Sequence, residues 1–101
     1  MAELVRVAVR GDIPDGTGKV VEARGRKVAL FNSGGSFYAI DNACRHLGGS
    51  LGEGDVYGTH VVCPLRGWEY DFTTGAGVDD PETRVACFAV TIEGDDVLIE
   101  I

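Results

Sequence analysis

Apolar and polar residues alternate along most of this chain, the period-two pattern of strands that bury one face. In Leu4–Val9 (LVRVAV), Val5, Val7 and Val9 alternate against Arg6. The runs KVVEA (19–23) and KVALFN (27–32) flank Arg24-Gly25-Arg26, which predicts a hairpin with its turn near Gly25. SFYAID follows the turn signal NSGG, and HVVC and WEYDF bracket a PLRG loop. VACFAVTIE (85–93) and VLIEI (97–101) are joined by Gly94-Asp95-Asp96, a third hairpin. No stretch carries three or four turns of helical periodicity, so the expected class is all-β, an antiparallel sandwich or small barrel.

Two segments break the alternation. NACRHLGGSLGEGD (42–55) is rich in glycine and holds a cysteine and a histidine, and CPLRG is a tight loop between two strands. A long glycine-rich loop in a compact domain usually has a task. With 101 residues, no internal repeat and no linker, the chain is expected to form a single domain, 1–101, with functional loops at about 42–55 and 63–68. That length is near the lower end of what buries a self-sufficient core.

These loops hold the candidate chemistry: Cys44-x-His46, then sixteen residues, then Cys63-x-x-Arg66. Thiolate and imidazole suit iron or zinc. The one-residue gap between Cys44 and His46 fits zinc pairs poorly, because it sends two ligands to two places. A binuclear cluster accepts such a pair, with each loop giving its cysteine to one iron and its other ligand to the second.

Charge and composition narrow the partners. The net charge is −7, from nine basic and sixteen acidic side chains. That argues against nucleic-acid binding, which needs phosphate-neutralising cations, and suits steering toward a basic protein partner. No apolar run reaches the roughly 18–20 residues of a membrane span. Residues 1–10 lack the apolar block of a signal peptide, so no membrane association and a cytoplasmic location are expected. Three cysteines cannot all pair within the chain, and the grouping of Cys44 and Cys63 with His46, Cys87 standing apart, points to metal ligation rather than a disulfide framework.

The segment YAIDNACRHLGGSLGEGDVYGTHVVCPLRGWEYDFTTG resembles the Rieske-type ferredoxins, whose pattern is Cys-x-His, a spacer of this length, then Cys-x-x-His, Gly-Trp and an aromatic-Asp pair. The resemblance runs on through Pro81 and the last two strands. It implies the Rieske fold, an antiparallel β-sandwich with a two-loop cluster-binding subdomain, and a [2Fe-2S] cluster. It further implies a one-electron carrier between a flavin reductase and a terminal oxygenase, a monomer or weak oligomer and an electron-transfer component rather than a stand-alone enzyme. High-potential relatives carry an extra cysteine in each loop. Those positions here are Gly49 and Leu65, so the likeness is to the soluble ferredoxin branch. Carried over residue by residue, Cys44 and Cys63 would hold one iron and His46 the other.

The departure is Arg66, which stands where the pattern has its second histidine. A protonated guanidinium has no lone pair for a metal, and deprotonating it near pH 7 costs roughly 9 kcal/mol. Arg66 is either the fourth ligand, a cation beside a cluster completed by water, hydroxide or another residue, or an accidental or engineered replacement of the histidine, within reach of a single base change. The loops could also persist as a scaffold without a cluster, as an interaction subunit like the small subunits of some nitrite reductases. A mononuclear zinc or iron site on Cys44, His46 and Cys63, with His60 as a fourth donor, is the other alternative. The plain reading of His60 is a polar surface strand residue, and that of Cys87 a small buried hydrophobe or free thiol. Trp68 and Tyr70 are expected to pack the core beneath the second loop, with Leu47 and Leu65 exposed at the tip. Glycines 48, 49, 52 and 54 read either as turns with positive φ or as points where backbone approaches the cluster.

Overall fold

The computed structural model describes residues 3–44, 49–64 and 67–101. The expected ligands His46 and Arg66, with Leu47, Gly48 and Leu65, lie outside the described residues. The strands are β1 Leu4–Val9, β2 Thr17–Ala23, β3 Arg26–Ser33, β4 Ser36–Asp41, β5 Asp55–Tyr57, β6 His60–Val62, β7 Glu69–Asp71, β8 Cys87–Phe88, β9 Val90–Glu93 and β10 Asp96–Glu100. They form three antiparallel sheets among the described residues, in the orders β1-β10-β9, β2-β3-β4-β8 and β5-β6-β7. The all-β expectation holds, and no helix among the described residues is long and apolar enough to cross a membrane.

The predicted hairpins form for local reasons. Ala23 pairs with Arg26 across Arg24 (φ 52°) and Gly25 (φ 80°), the two positive φ angles that a two-residue turn of primed type requires. Gly34 (φ 63°) and Gly35 (φ 89°) do the same between Ser33 and Ser36. Glu93 pairs with Asp96 around Gly94, closing the third.

The middle sheet is a wall between two apolar cores. On one side Val28 and Leu30 of β3 pack with Ala8, Val97 and Ile99 of the terminal strands. On the other, Ala29 and Phe31 pack with Val61, Tyr70 and Phe72, and with Cys44 and Cys63. The Phe31 and Phe72 rings stack with centroids 4.5 Å apart and planes 9° apart. Each fully buried phenylalanine contributes about 2–3 kcal/mol of apolar burial, which anchors the third sheet to the wall.

Two elements differ from the sequence reading. The run VACFAVTIE is not one strand: β8 pairs with β4, and after Ala89 the chain continues as β9 on β10, so it serves two sheets in turn. The short β5, which the glycine-rich run conceals, pairs with β6 through Tyr57 and His60 around Gly58 (φ 62°). The third sheet delivers the second loop between β6 and β7, and the first loop leaves β4 and returns into β5.

Candidate metal centre

Each loop is closed by backbone hydrogen bonds at its cysteine. In the first, the Cys44 N–H donates to the Gly49 carbonyl at 2.8 Å, Ala43 bridges Ser50, and Leu51 N–H donates to the Asn42 carbonyl at 2.8 Å. In the second, the Cys63 N–H donates to the Trp68 carbonyl at 2.6 Å, one step beyond the Val62–Glu69 pair of β6 and β7. Both cysteines are buried, Cys44 at 3% exposure and Cys63 at 1%, and both belong to the second apolar core. The structure thus brings two of the four expected ligands, one from each loop, into one dry environment.

Tyr70 closes this environment from below. It is fully buried, and its hydroxyl lies 3.4 Å from the Cys44 sulfur. A thiolate has no proton to give, so against a metal-bound Cys44 the phenol is the donor. Hydrogen bonds to cluster sulfurs stabilise the more electron-rich reduced state. Tyr70→Phe is therefore expected to lower the reduction potential by roughly 40 mV, the one-electron equivalent of about 1 kcal/mol. A redox titration showing no change would remove Tyr70 from the site.

The other candidates sort themselves by face. His60 alternates with the buried Val61, so it lies on the opposite side of the third sheet, together with Glu69 and Asp71 of β7. Its Nδ1 is 2.7 Å from Glu69 Oε2 and its Nε2 is 4.0 Å from Asp71 Oδ2. His60 is thus held by carboxylates away from the two cysteines, in keeping with its plain reading as a polar strand residue. Cys87 is an exposed free thiol on the edge strand β8, with its sulfur 3.8 Å from the Thr73 carbonyl. Loss of hydration raises its pKa above the ordinary thiol value, with Arg84 opposing and Asp71 reinforcing, so it is neutral near pH 7. Of the two readings offered for it, the free thiol holds and the buried hydrophobe does not.

Trp68 corrects one expectation. It shares sequence parity with Tyr70 and Phe72, both fully buried, yet it is 38% exposed. β7 begins at Glu69, so Trp68 stands at the end of the ladder, joined to it by the single Cys63 bond, where parity no longer ensures burial. Trp68 instead lines a cleft of about 280 Å³ with Glu69, Gly77, Asp79, Asp80 and Thr83.

The loop glycines need correction too. Gly52 and Gly54 are not positive-φ residues. They are small because neighbouring backbone comes close. A Cβ on Gly52 would stand 2.9 Å from the Val20 nitrogen, and one on Gly54 would collide with the Val62 carbonyl oxygen. The sequence reading missed Asn42, whose buried carboxamide bonds to Ser50 and to the Gly52 N–H. An asparagine at the exit of a strand, before a glycine-rich loop, was the available signal.

The donor chemistry fits an iron–sulfur centre on the cysteine side. Burying a thiolate without compensation is costly, and a cationic iron supplies that compensation. Residues 3–89 match the sequence model of the Rieske [2Fe-2S] domain, and the chain belongs to that family. Its cofactor is a [2Fe-2S] cluster, and the protein is an electron carrier. The chain is 33% identical over 91 residues to the ferredoxin component of a naphthalene 1,2-dioxygenase system from Pseudomonas aeruginosa, covering 89% of this chain and 88% of that one. Among solved structures it resembles the ferredoxin of carbazole 1,9a-dioxygenase from Nocardioides aromaticivorans, with 28% identity, 95% of each chain covered and a TM-score of 0.88. It also resembles the ferredoxin in a complex of reduced oxygenase and oxidized ferredoxin of carbazole 1,9a-dioxygenase, with 28% identity, 95% of this chain and 91% of that one covered, and a TM-score of 0.86.

Proposed function

We propose that this chain is a single-domain cytoplasmic ferredoxin, a monomer or weak oligomer, that takes single electrons from a flavin reductase and delivers them to a terminal oxygenase. In this reading Cys44 and Cys63 hold one iron and His46 the other, with Arg66 at the position of the fourth ligand. The observation that carries it is the meeting of Cys44 and Cys63, from two separate loops, in one buried core. The cluster supplies a one-electron couple when bound. The chain's own groups do the rest: the two closed loop bases keep water from the cysteines, and Tyr70 sets a donor against the Cys44 sulfur.

Arg66 decides the form of the second iron site. As a cation beside the cluster it favours the more negative reduced state and raises the potential. As a ligand it gives up its proton at the large cost given above. Protein purified without oxygen is expected to be brown, with iron and acid-labile sulfide in equal amounts, and Arg66→His is expected to give an ordinary Rieske paramagnetic spectrum on reduction. One zinc per colourless chain would install the mononuclear alternative, and a metal-free chain the interaction subunit.

The docking face follows from charge and exposure. The exposed Trp68 adjoins the second ligand loop and shares its cleft with Glu69, Asp79 and Asp80. Aromatic anchors dominate interface energetics, and a chain of net charge −7 is steered toward basic surfaces. Trp68→Ala is expected to slow electron delivery to the oxygenase about tenfold or more at unchanged potential. The association rate of the unmutated protein should fall as salt rises through the physiological range. A rate indifferent to both changes would place the docking face elsewhere.

A further inference from the structure

The first ligand loop is closed twice, by its backbone and by one side chain. The backbone part is open to any sequence: Cys44 to Gly49, Leu51 to Asn42, and the Ala43–Ser50 bridge. The side-chain part belongs to Asn42, which is 6% exposed. Its Oδ1 accepts from the Gly52 N–H at 2.8 Å and from the Ser50 hydroxyl at 3.3 Å, and its Nδ2 donates to Ser50 Oγ at 3.0 Å. Its own N–H donates to the Lys27 carbonyl of β3 at 3.2 Å, so the clamp is fixed to the wall between the cores. A carboxamide sets a donor and an acceptor side by side; an aspartate accepts but does not donate, and a leucine does neither.

The bonds reach from the limb that leads into Cys44 to the limb that returns from the loop. That returning limb is seated elsewhere as well. Gly52 abuts the backbone of Lys19 and Val20 in β2, and Gly54 abuts the carbonyl of Val62, the residue before Cys63. Asn42 therefore connects the approach to Cys44, through Gly52 and Gly54, with the strand that delivers Cys63.

We infer that Asn42 is a positioning residue of the redox centre, holding the Cys44 limb at a fixed offset from the Cys63 strand so that both sulfurs meet one iron. This rests on the assignment of the two cysteines as ligands. Asn42 acts through Cys44 and does not itself touch the cluster. Outer partners of metal ligands typically govern affinity by about 10–100-fold when removed.

The test uses the cluster-loaded chain and two readouts: the rate of cluster loss to an iron chelator, and the line shape of the reduced protein's paramagnetic resonance. Asn42→Ala is expected to lose its cluster at least about tenfold faster than the parent and to broaden the resonance. Asn42→Asp, which keeps the acceptor for Gly52, should recover most of the line shape. Ser50→Ala, which removes only the hydroxyl, should fall between parent and Asn42→Ala, and it serves if Asn42→Ala does not fold. Ile99→Val, in the other core, supplies a destabilised control that leaves the loop alone. The inference is overturned if Asn42→Ala matches Ile99→Val in both readouts, or, where it does not fold, if Ser50→Ala matches the parent in both. An unmutated chain without iron would overturn the ligand assignment and the positioning role together; normal iron with unchanged loss rates would overturn the role alone.

Discussion

Gly54→Ala is expected to destabilise the protein by about 3 kcal/mol, at the upper end of overpacking costs. The backbone conformation is not the reason, since Gly54 has φ −77°, which alanine adopts freely. The obstacle is the Val62 carbonyl oxygen, which a Cβ would strike, with Val61 Cγ2 only 3.0 Å away. A carbonyl in the β5–β6 ladder has no rotamer to retreat to, so the first loop must lift from the strand that leads to Cys63. That loss is a large share of the roughly 5–15 kcal/mol that holds a domain together. The measurement is the urea midpoint at constant slope. Gly11→Ala is the control, because nothing lies within 4 Å of its added Cβ and the expected change is within about 0.5 kcal/mol. Equal midpoints for the two variants would show that the close approach of loop to strand is dispensable.

The second large effect separates fold from cofactor. Cys63→Ala is expected to fold but retain no iron. Removing one sulfur from a buried apolar site leaves a small cavity, a cost of about 1 kcal/mol. The greater loss is in stability linked to the cofactor, because a group bound only by the folded state adds to stability by mass action. The melting temperature of the cluster-loaded parent should accordingly drop on chelation to near that of Cys63→Ala. Cys87→Ala should retain its iron in full, since that thiol is exposed on β8 and lies outside the core that holds Cys44 and Cys63. Iron lost from Cys87→Ala and kept by Cys63→Ala would reverse the ligand assignment.

Strands whose alternation had one polar face were readable from the sequence, as were turns whose residues require positive φ: β1, the hairpin at Gly25 and the hairpin at Gly94 stand where the pattern puts them. β5 was not readable, because a strand of three residues offers one alternation and follows a run of glycines. The division of VACFAVTIE was hidden because the pattern records which face is buried and not which sheet buries it. At the site, the pattern Cys44-x-His46 and Cys63-x-x-Arg66 pointed to two loops, and the cysteines of those loops share one buried core. The exposure of Trp68 escaped, since parity carries information only inside a paired strand. The need for Gly52 and Gly54 to be small escaped as well, because it arises from contacts with β2 and β6, distant in sequence.

β3 has a further consequence for how the fold finds its alignment. Because Val28 and Leu30 enter one core while Ala29 and Phe31 enter the other, a slip of one residue exchanges apolar for apolar only in the middle of the strand; at its ends Lys27 would take the place of Val28, or Asn32 that of Phe31. Burial therefore resists the slip at the two ends of the strand and says little in its middle. The frame is set at the ends, by Lys27 and Asn32 and by the two-residue turns at Arg24-Gly25 and Gly34-Gly35 beyond them. The four turn residues work as a pair of rulers. They take no part in the proposed metal site, yet they help fix which side of the wall Phe31 stacks on, and through Phe72 where the cysteine-bearing sheet comes to rest.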